Sequence, residues 1–440
     1  MGDSTHIPTI VILGAGFAGV QCARELARKL PLEHDARIVL VDQHNYLLFT
    51  PMLTEVAGGQ VDTRHVVSAV RRFSPRITFV EGRVDDVDLR RRRVTLTVGR
   101  AAEGIPEEQR TLVADQLVIA LGSVTNYHGI DGLQEHSLAM KSLGDAAAIR
   151  NRALGLLERA GAEPDRERRR ALLTFVVGGG GFSGVETMAA LNDLVRESAR
   201  YYPQIQAGDI RTVLVHGQDR LLPELTGSLA AYAQRKLAER GVEVLLGAEI
   251  AGAGEGYVEL HGGRRIATHM LIWTAGVAPS PLVGRLDCQR GKHGGIVVDA
   301  CCAVPGRPGV WALGDCAEIP RRGGKTYAPT AQNATREGRR VARNVVAALR
   351  GEPPRPFRYI PAGELAIVGK RSGVARVFGL RFSGFVAWWL WRTIYLLKLP
   401  TLGKRIRVAA DWTLDLLFGR EFEELPVGRL RAGLAELVEE

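Results

Sequence analysis

Short apolar runs that end in glycine recur along this chain. Thr9-Ile10-Val11-Ile12-Leu13 is rich in β-branched residues and reads as a strand; it enters Gly14-Ala15-Gly16-Phe17-Ala18-Gly19 and then small and apolar residues at helical spacing. Phe175-Val176-Val177 repeats this grammar before Gly178-Gly179-Gly180-Gly181-Phe182-Ser183-Gly184. Further strand-like runs cover 37–41, 77–80, 94–98, 116–122, 212–215, 270–276 and 310–315, several of them closing on glycine. The arginine-rich stretch 161–170 reads as a solvated connection, and Pro353-Pro354-Arg355-Pro356 marks a boundary. Beyond it, 382–397 reads as one aromatic-rich helix. A second follows Gly403, with Ile406, Ala409, Ala410, Thr413, Leu416 and Leu417 on one stripe.

Aligning Gly14, Gly16 and Gly19 with Gly179, Gly181 and Gly184 gives G-x-G-x-x-G twice, each copy between a strand and a helix. The first glycine permits the bend, the second lets backbone approach a pyrophosphate, and the third lets helix and strand pack. The helix N-terminus then offers free N–H groups to the anion. The next strand of the first copy ends in Asp42, placed to take ribose hydroxyls. The second copy departs: its next strand ends in His216, with Arg220 nearby, so a 2'-phosphate is not repelled and NADPH is admitted beside NADH. The pattern predicts an α/β chain with two Rossmann-like dinucleotide-binding domains, the second inserted in the first. The expected boundaries are 1–122 with 290–352, then 123–289, with a C-terminal region over 353–440 that ends in amphipathic membrane-surface helices.

Composition narrows the function classes. With 440 residues, 46% hydrophobic and 24% charged, the chain is globular and too long for one ordinary core. A net charge of +10 suits nucleic acid, an anionic bilayer or nucleotides alike, so charge alone does not choose. The five cysteines, Cys22, Cys288, Cys301, Cys302 and Cys316, include no C-x-x-C pair, which argues against a disulfide framework or a dithiol centre. The vicinal pair Cys301-Cys302 reads as two free thiols, and no metal site is expected. No secretory signal is read before the first strand.

The sequence resembles the two-dinucleotide-binding-domain flavoproteins and, within them, the type II, non-proton-pumping NADH:quinone dehydrogenases. The resemblance spans nearly the whole chain and rests on 14–19, 45–53, 181–186, Gly314-Asp315 and Ala331-Gln332. It implies FAD in the first unit, bordered by Phe17, Val84 and Gly122, with Asp315 on its ribityl and phosphate portion. It implies NAD(P)H in the second, along Phe182 and Gly276, with Glu186 at the nicotinamide ribose. It brings Gln332 to the quinone face of the flavin, although a second glutamine of the family pattern is replaced by Arg336. Gln332 could instead cap its helix or bond FAD. Lys370 either donates to a quinone carbonyl or is solvated at a strand end. Glu186, Gln332 and Lys370 are therefore the catalytic candidates. Sulfide:quinone oxidoreductases share this plan but need cysteines facing the flavin, which these positions do not provide.

The helix over 382–397 is too short and too basic to span a bilayer, with Arg381, Arg392 and Lys398 interrupting it. It reads instead as lying in the interface, tryptophans at headgroup depth and basic side chains toward lipid phosphate. The expected partners are NAD(P)H, a quinone and the cytoplasmic surface of the cell membrane, with no nucleic acid. A homodimer through the same helix pair is the alternative use of that surface. Reduction of another acceptor, or a nucleotide-sensing flavoprotein that binds a protein partner, are the alternative functions.

Overall fold

The computed structural model describes residues 6–30, 36–418, 420 and 422–424. They form two compact units: residues 1–48, 67–124 and 277–361 make the first, and residues 49–66, 125–276 and 362–440 the second. The second is thus threaded through the first, as expected. The divisions fall at 124/125, 276/277 and 361/362, against expected breaks at 122, 289 and 352. From residue 362 on, the C-terminal region is no third body, because its first strand packs on the second unit's glycine-turn helix and its first helix packs on those strands.

The first unit is built on a five-stranded parallel sheet in the order Val310–Ala312, Gln116–Ile119, Thr9–Leu13, Arg37–Asp42, Ile77–Glu81. Ile10, Val11, Ile12 and Leu13 are fully buried. A strand covered on both faces needs a continuous apolar run, not an alternating one. Leu13 lies between Val41 and Ile119 in register, so the first glycine turn emerges at the carboxyl edge of the sheet. The helices Phe17–Lys29 and Ala331–Leu349 pack against each other beside it.

The second unit repeats the plan with parallel strands ordered Leu138–Ala139, Met270–Trp273, Thr174–Gly178, Arg211–His216, Val242–Leu246. The arginine-rich connection proved to be partly helical. Asp165 accepts the Arg168 amide at 2.8 Å and nucleates Arg166–Leu172, directly after a long helix over Leu143–Ala162. A side-chain cap satisfies an otherwise orphaned amide, so a polar sequence can still start a helix.

The antiparallel strands Gly363–Gly369, Ser372–Val377 and Leu380–Gly384 complete this unit, followed by helices Phe385–Lys398 and Leu402–Phe418. The aromatic helix therefore starts three residues later than its composition suggests, because Gly384, at φ +71°, turns the chain out of the last strand. Its tryptophans do not all face outward. Trp388 and Trp391 are 7% and 1% exposed and only Trp389 is open, at 54%; Arg392 is buried as well. The apolar stripe of the last helix is open: Ile406, Leu416 and Leu417 are exposed while Val408, Trp412 and Asp415, off the stripe, are buried. Among the described residues no helix is long and apolar enough to cross a membrane.

Candidate functional site

The first glycine turn is shaped by close packing. Gly14 sits at φ +102°, and a Cβ there would lie 2.2 Å from the Ala120 carbonyl oxygen; at Gly19 it would lie 1.8 Å from that of Gly14. Gly16, by contrast, opens onto free space, and it heads the helix Phe17–Lys29 without any side-chain cap. The result is an open helix N-terminus beside a tight bend, the form that accommodates a pyrophosphate. Asp42 is held at the strand end by the Ala15 amide at 2.6 Å and the His44 amide at 2.8 Å.

In the same unit Gly314, at φ +73°, lets the chain turn so that Asp315 accepts the Ser123 hydroxyl at 2.6 Å. The Gly314 amide donates to Glu337 at 2.8 Å, and burial pushes that carboxyl up to about 7. Gly122, at φ +67°, leaves the space above it open. Val84 is partly buried, paired with Leu96 across its sheet. Ser123 and Glu337 were missed by sequence reasoning, since nothing local marks either.

The second unit reproduces the turn. A Cβ on Gly184 would lie 1.7 Å from the Gly179 carbonyl oxygen, whereas Gly181 opens onto free space and heads the helix Phe182–Ser198 uncapped. Gly276, at φ +122°, packs against the His128 ring, which bonds the Ala275 carbonyl at 3.0 Å. His216 accepts the Gly180 amide on Nδ1 at 3.1 Å, and burial holds its pKa below the ordinary histidine value. The neutral ring therefore carries its proton on Nε2, a buried atom near the Arg220 backbone. A histidine, not a carboxylate, thus ends this strand.

Glu186 is one turn into the same helix. One of its carboxyl oxygens accepts both the Ile367 amide at 3.0 Å and the Trp391 indole at 2.9 Å. The side chain keeps part of its surface open. Dense packing about the carboxyl nevertheless dominates and pushes its pKa up to about 8, with the nearby Glu55 adding to the rise. Neither tryptophan nor strand amide was legible as a partner of Glu186.

Comparison with known proteins accounts for this pairing of turns. Residues 8–338 match the family model described as pyridine nucleotide-disulphide oxidoreductase, and residues 362–421 match the one described as the NDH2 C-terminal domain. The chain belongs to the type II NADH:quinone oxidoreductases of that family. A protein named probable NADH dehydrogenase from Dictyostelium discoideum is 31% identical, over 94% of this chain and 90% of its own length. The type II NADH:quinone oxidoreductase Ndh of Mycobacterium tuberculosis is 30% identical, covering 93% and 88%. In fold, the chain superposes on NDH2 from Plasmodium falciparum in complex with NADH with a TM-score of 0.87 at 20% identity, covering 95% of this chain and 100% of that one.

Within this type II oxidoreductase the remaining candidates have definite neighbours. Thr330 caps the helix Ala331–Leu349 by accepting the Asn333 amide at 3.2 Å, so capping does not fall to Gln332. Gln332 instead accepts the Tyr359 hydroxyl through its side-chain oxygen, and the Arg336 guanidinium lies 4.1 Å over the Tyr359 ring. The arginine that replaces the second family glutamine therefore helps to hold the first in place. Lys370 is drawn to the helix Phe182–Ser198: its amide donates to Asp193 at 3.0 Å and its ammonium pairs with Glu197 at 3.4 Å. All five cysteines are free thiols.

Proposed function

We infer that this enzyme oxidises NADH through FAD and passes the electrons to a membrane quinone without pumping protons. The observation that carries the reading is one chain with two open glycine-turn helix N-termini, one in each unit, within a family of NADH:quinone oxidoreductases. Gly14, Gly16, Phe17, Gly19, Asp42, Val84, Gly122, Gly314 and Asp315 would hold FAD. Bound there, FAD supplies the hydride acceptor and the two-electron donor.

The protein's own groups position the reactants. Amides at the head of Phe17–Lys29 face the pyrophosphate, and Asp42, fixed by two amides, accepts from the ribose. Gly179, Gly181, Phe182, Gly184 and Gly276 receive the nicotinamide dinucleotide. The His216 ring, standing where a carboxylate would repel a 2'-phosphate, borders the adenosine ribose, so NADH is accepted and NADPH tolerated. Glu186 lies toward the nicotinamide end. Gln332, held by Tyr359, presents its amide to the quinone, and Lys370 reaches a quinone carbonyl only when its pairing with Glu197 opens.

Membrane association is peripheral. Phe385, Val386, Trp389, Leu397, Leu402, Ile406, Leu414 and Leu417 are exposed on the two C-terminal helices and form the surface we assign to the cytoplasmic face of the cell membrane. A single preparation tests the reading: FAD content, stopped-flow flavin reduction by NADH and NADPH, and steady-state turnover with a short-tailed quinone. Glu186→Gln should slow flavin reduction by NADH. Turnover indifferent to quinone, or a strong preference for NADPH, would overturn it.

A further inference from the structure

A buried carboxyl group and a half-buried one, both of the second unit, lie against one small cavity. Glu55, on the short helix Leu53–Ala57, and Glu186 both line it, with Thr54, Gln60, Asp193 and Trp388. Its volume is about 10 Å³, near the room that one water molecule requires. Each carboxyl is held by an indole from a different C-terminal helix: Trp391 donates to Glu186 at 2.9 Å, and Trp412 to Glu55 at 2.9 Å. The other oxygen of Glu55, Oε1, has no hydrogen-bond partner among the described residues, and the nearest cation, the Arg392 guanidinium, stands 4.0 Å away. A buried carboxyl oxygen left without a donor beside a polar, water-sized space calls for a proton of its own or a water to share one.

We propose that Glu55 and Glu186 act as one proton-sharing pair across this cavity, Glu55 being the reservoir that recharges Glu186. The proposal rests on Glu186 lying at the nicotinamide end of the second nucleotide site. Transfer breaks the Glu55 O–H bond and forms the Glu186 O–H bond, a cavity water giving up one proton as it accepts another. No electron moves, so no oxidant or reductant is needed. Glu55 thereby acts through Glu186 as a positioning residue, keeping Glu186 protonated at the nicotinamide end of the second nucleotide site.

The surroundings suit both ends to the exchange. Glu55 faces Arg392 from Phe385–Lys398, Trp412 and Asp415 from Leu402–Phe418, Arg420 beyond that helix, and Glu186 from Phe182–Ser198. Glu186 faces the Ile367 amide, the Trp391 indole, the Tyr395 phenol and Glu55. Asp193, on the cavity wall, is engaged by Arg240 and by the Lys370 amide. Burial pushes Glu55 up to about 7, opposed first by Arg392, so its affinity for a proton lies close to that of Glu186. Two interacting groups so matched titrate as a pair.

Infrared difference spectroscopy on the full-length, FAD-loaded enzyme tests this, reading protonated-carboxyl bands in H2O and D2O from pH 6 to 9. The parent is expected to show two such bands titrating in coupled steps. In Glu55→Gln one band disappears and the other titrates about one pH unit lower, because an ionised neighbour no longer raises it. The alkaline limb of quinone turnover should move the same way. Bands and pH profile superimposable on the parent's, apart from the lost Glu55 absorption, would overturn the pair. Trp412→Phe gives a second route: loss of a donor to Glu55 should move its band to higher pH, and an unmoved band also counts against the proposal. Glu186→Gln separates the two readings. If it leaves flavin reduction by NADH unaltered, the placement of Glu186 fails; if it slows that step while Glu55→Gln shifts nothing, only the pairing fails.

Discussion

Glu186→Gln offers a direct measure of what burying this carboxyl costs. The folded protein raises its pKa from 4.5 to about 8, chiefly through burial, with Glu55 adding to the rise and the Ile367 and Trp391 donors opposing it. A raised folded-state value stabilises the fold fully below the unfolded value, and that contribution is lost as pH climbs through the folded one. The full shift corresponds to about 5 kcal/mol. Because Glu186 retains some open surface and is coupled to Glu55, about 3 kcal/mol is the working expectation. The amide oxygen of glutamine can accept both the Ile367 and Trp391 bonds, so the variant imitates the protonated parent without titrating. Urea unfolding followed by tryptophan fluorescence at pH 5, 7 and 9 reads the effect. The variant's advantage should be less than about 1 kcal/mol at pH 5 and grow to about 3 kcal/mol at pH 9. Parallel stability curves across this range would refute the argument that Glu186 is held protonated by its surroundings.

The turn geometry, the C-terminal lock, the cysteines and the coenzyme preference each give a further expectation. Gly19→Ala places a methyl group 1.8 Å from the Gly14 carbonyl oxygen and should lower FAD retention about tenfold or more, read as flavin per protein on purification; a fully loaded variant contradicts the close-packed turn. Arg420 is wholly buried among Asp193, Glu197 and Asp415, so Arg420→Ala leaves Asp415 without its ion-pair partner and Asp193 and Glu197 with only their Arg240 and Lys370 contacts, and should cost about 3 kcal/mol in urea unfolding; a neutral effect would mean the cluster holds nothing. Alkylation of the folded chain, mapped by mass spectrometry, should mark Cys288 and Cys301 and spare Cys22, Cys302 and Cys316, which are buried, the Cys316 thiol being pushed up to about 12. His216→Glu should raise the ratio of NADH to NADPH efficiency about tenfold, and an unchanged ratio would remove His216 from the ribose site.

The two glycine turns, Asp42 and the parallel-sheet core were legible in the residues because their physics is local. A β-branched run, a glycine at positive φ and an uncapped helix start are properties of some ten consecutive positions. The family resemblance at Glu186 and Gln332 drew on the same short motifs. What those side chains touch was not legible. Trp391 is 205 residues from Glu186, and Trp412 is 357 from Glu55, so no local pattern marks either bond. The aromatic C-terminal segment shows the difference most plainly. Composition alone made its tryptophans an interfacial set, whereas tertiary packing turned Trp388 and Trp391 inward and Trp389 outward. Helical period determines which residues share a face, but only the packed neighbours decide which face is buried. Here the buried faces carry the Trp391 and Trp412 indoles, which donate to Glu186 and Glu55.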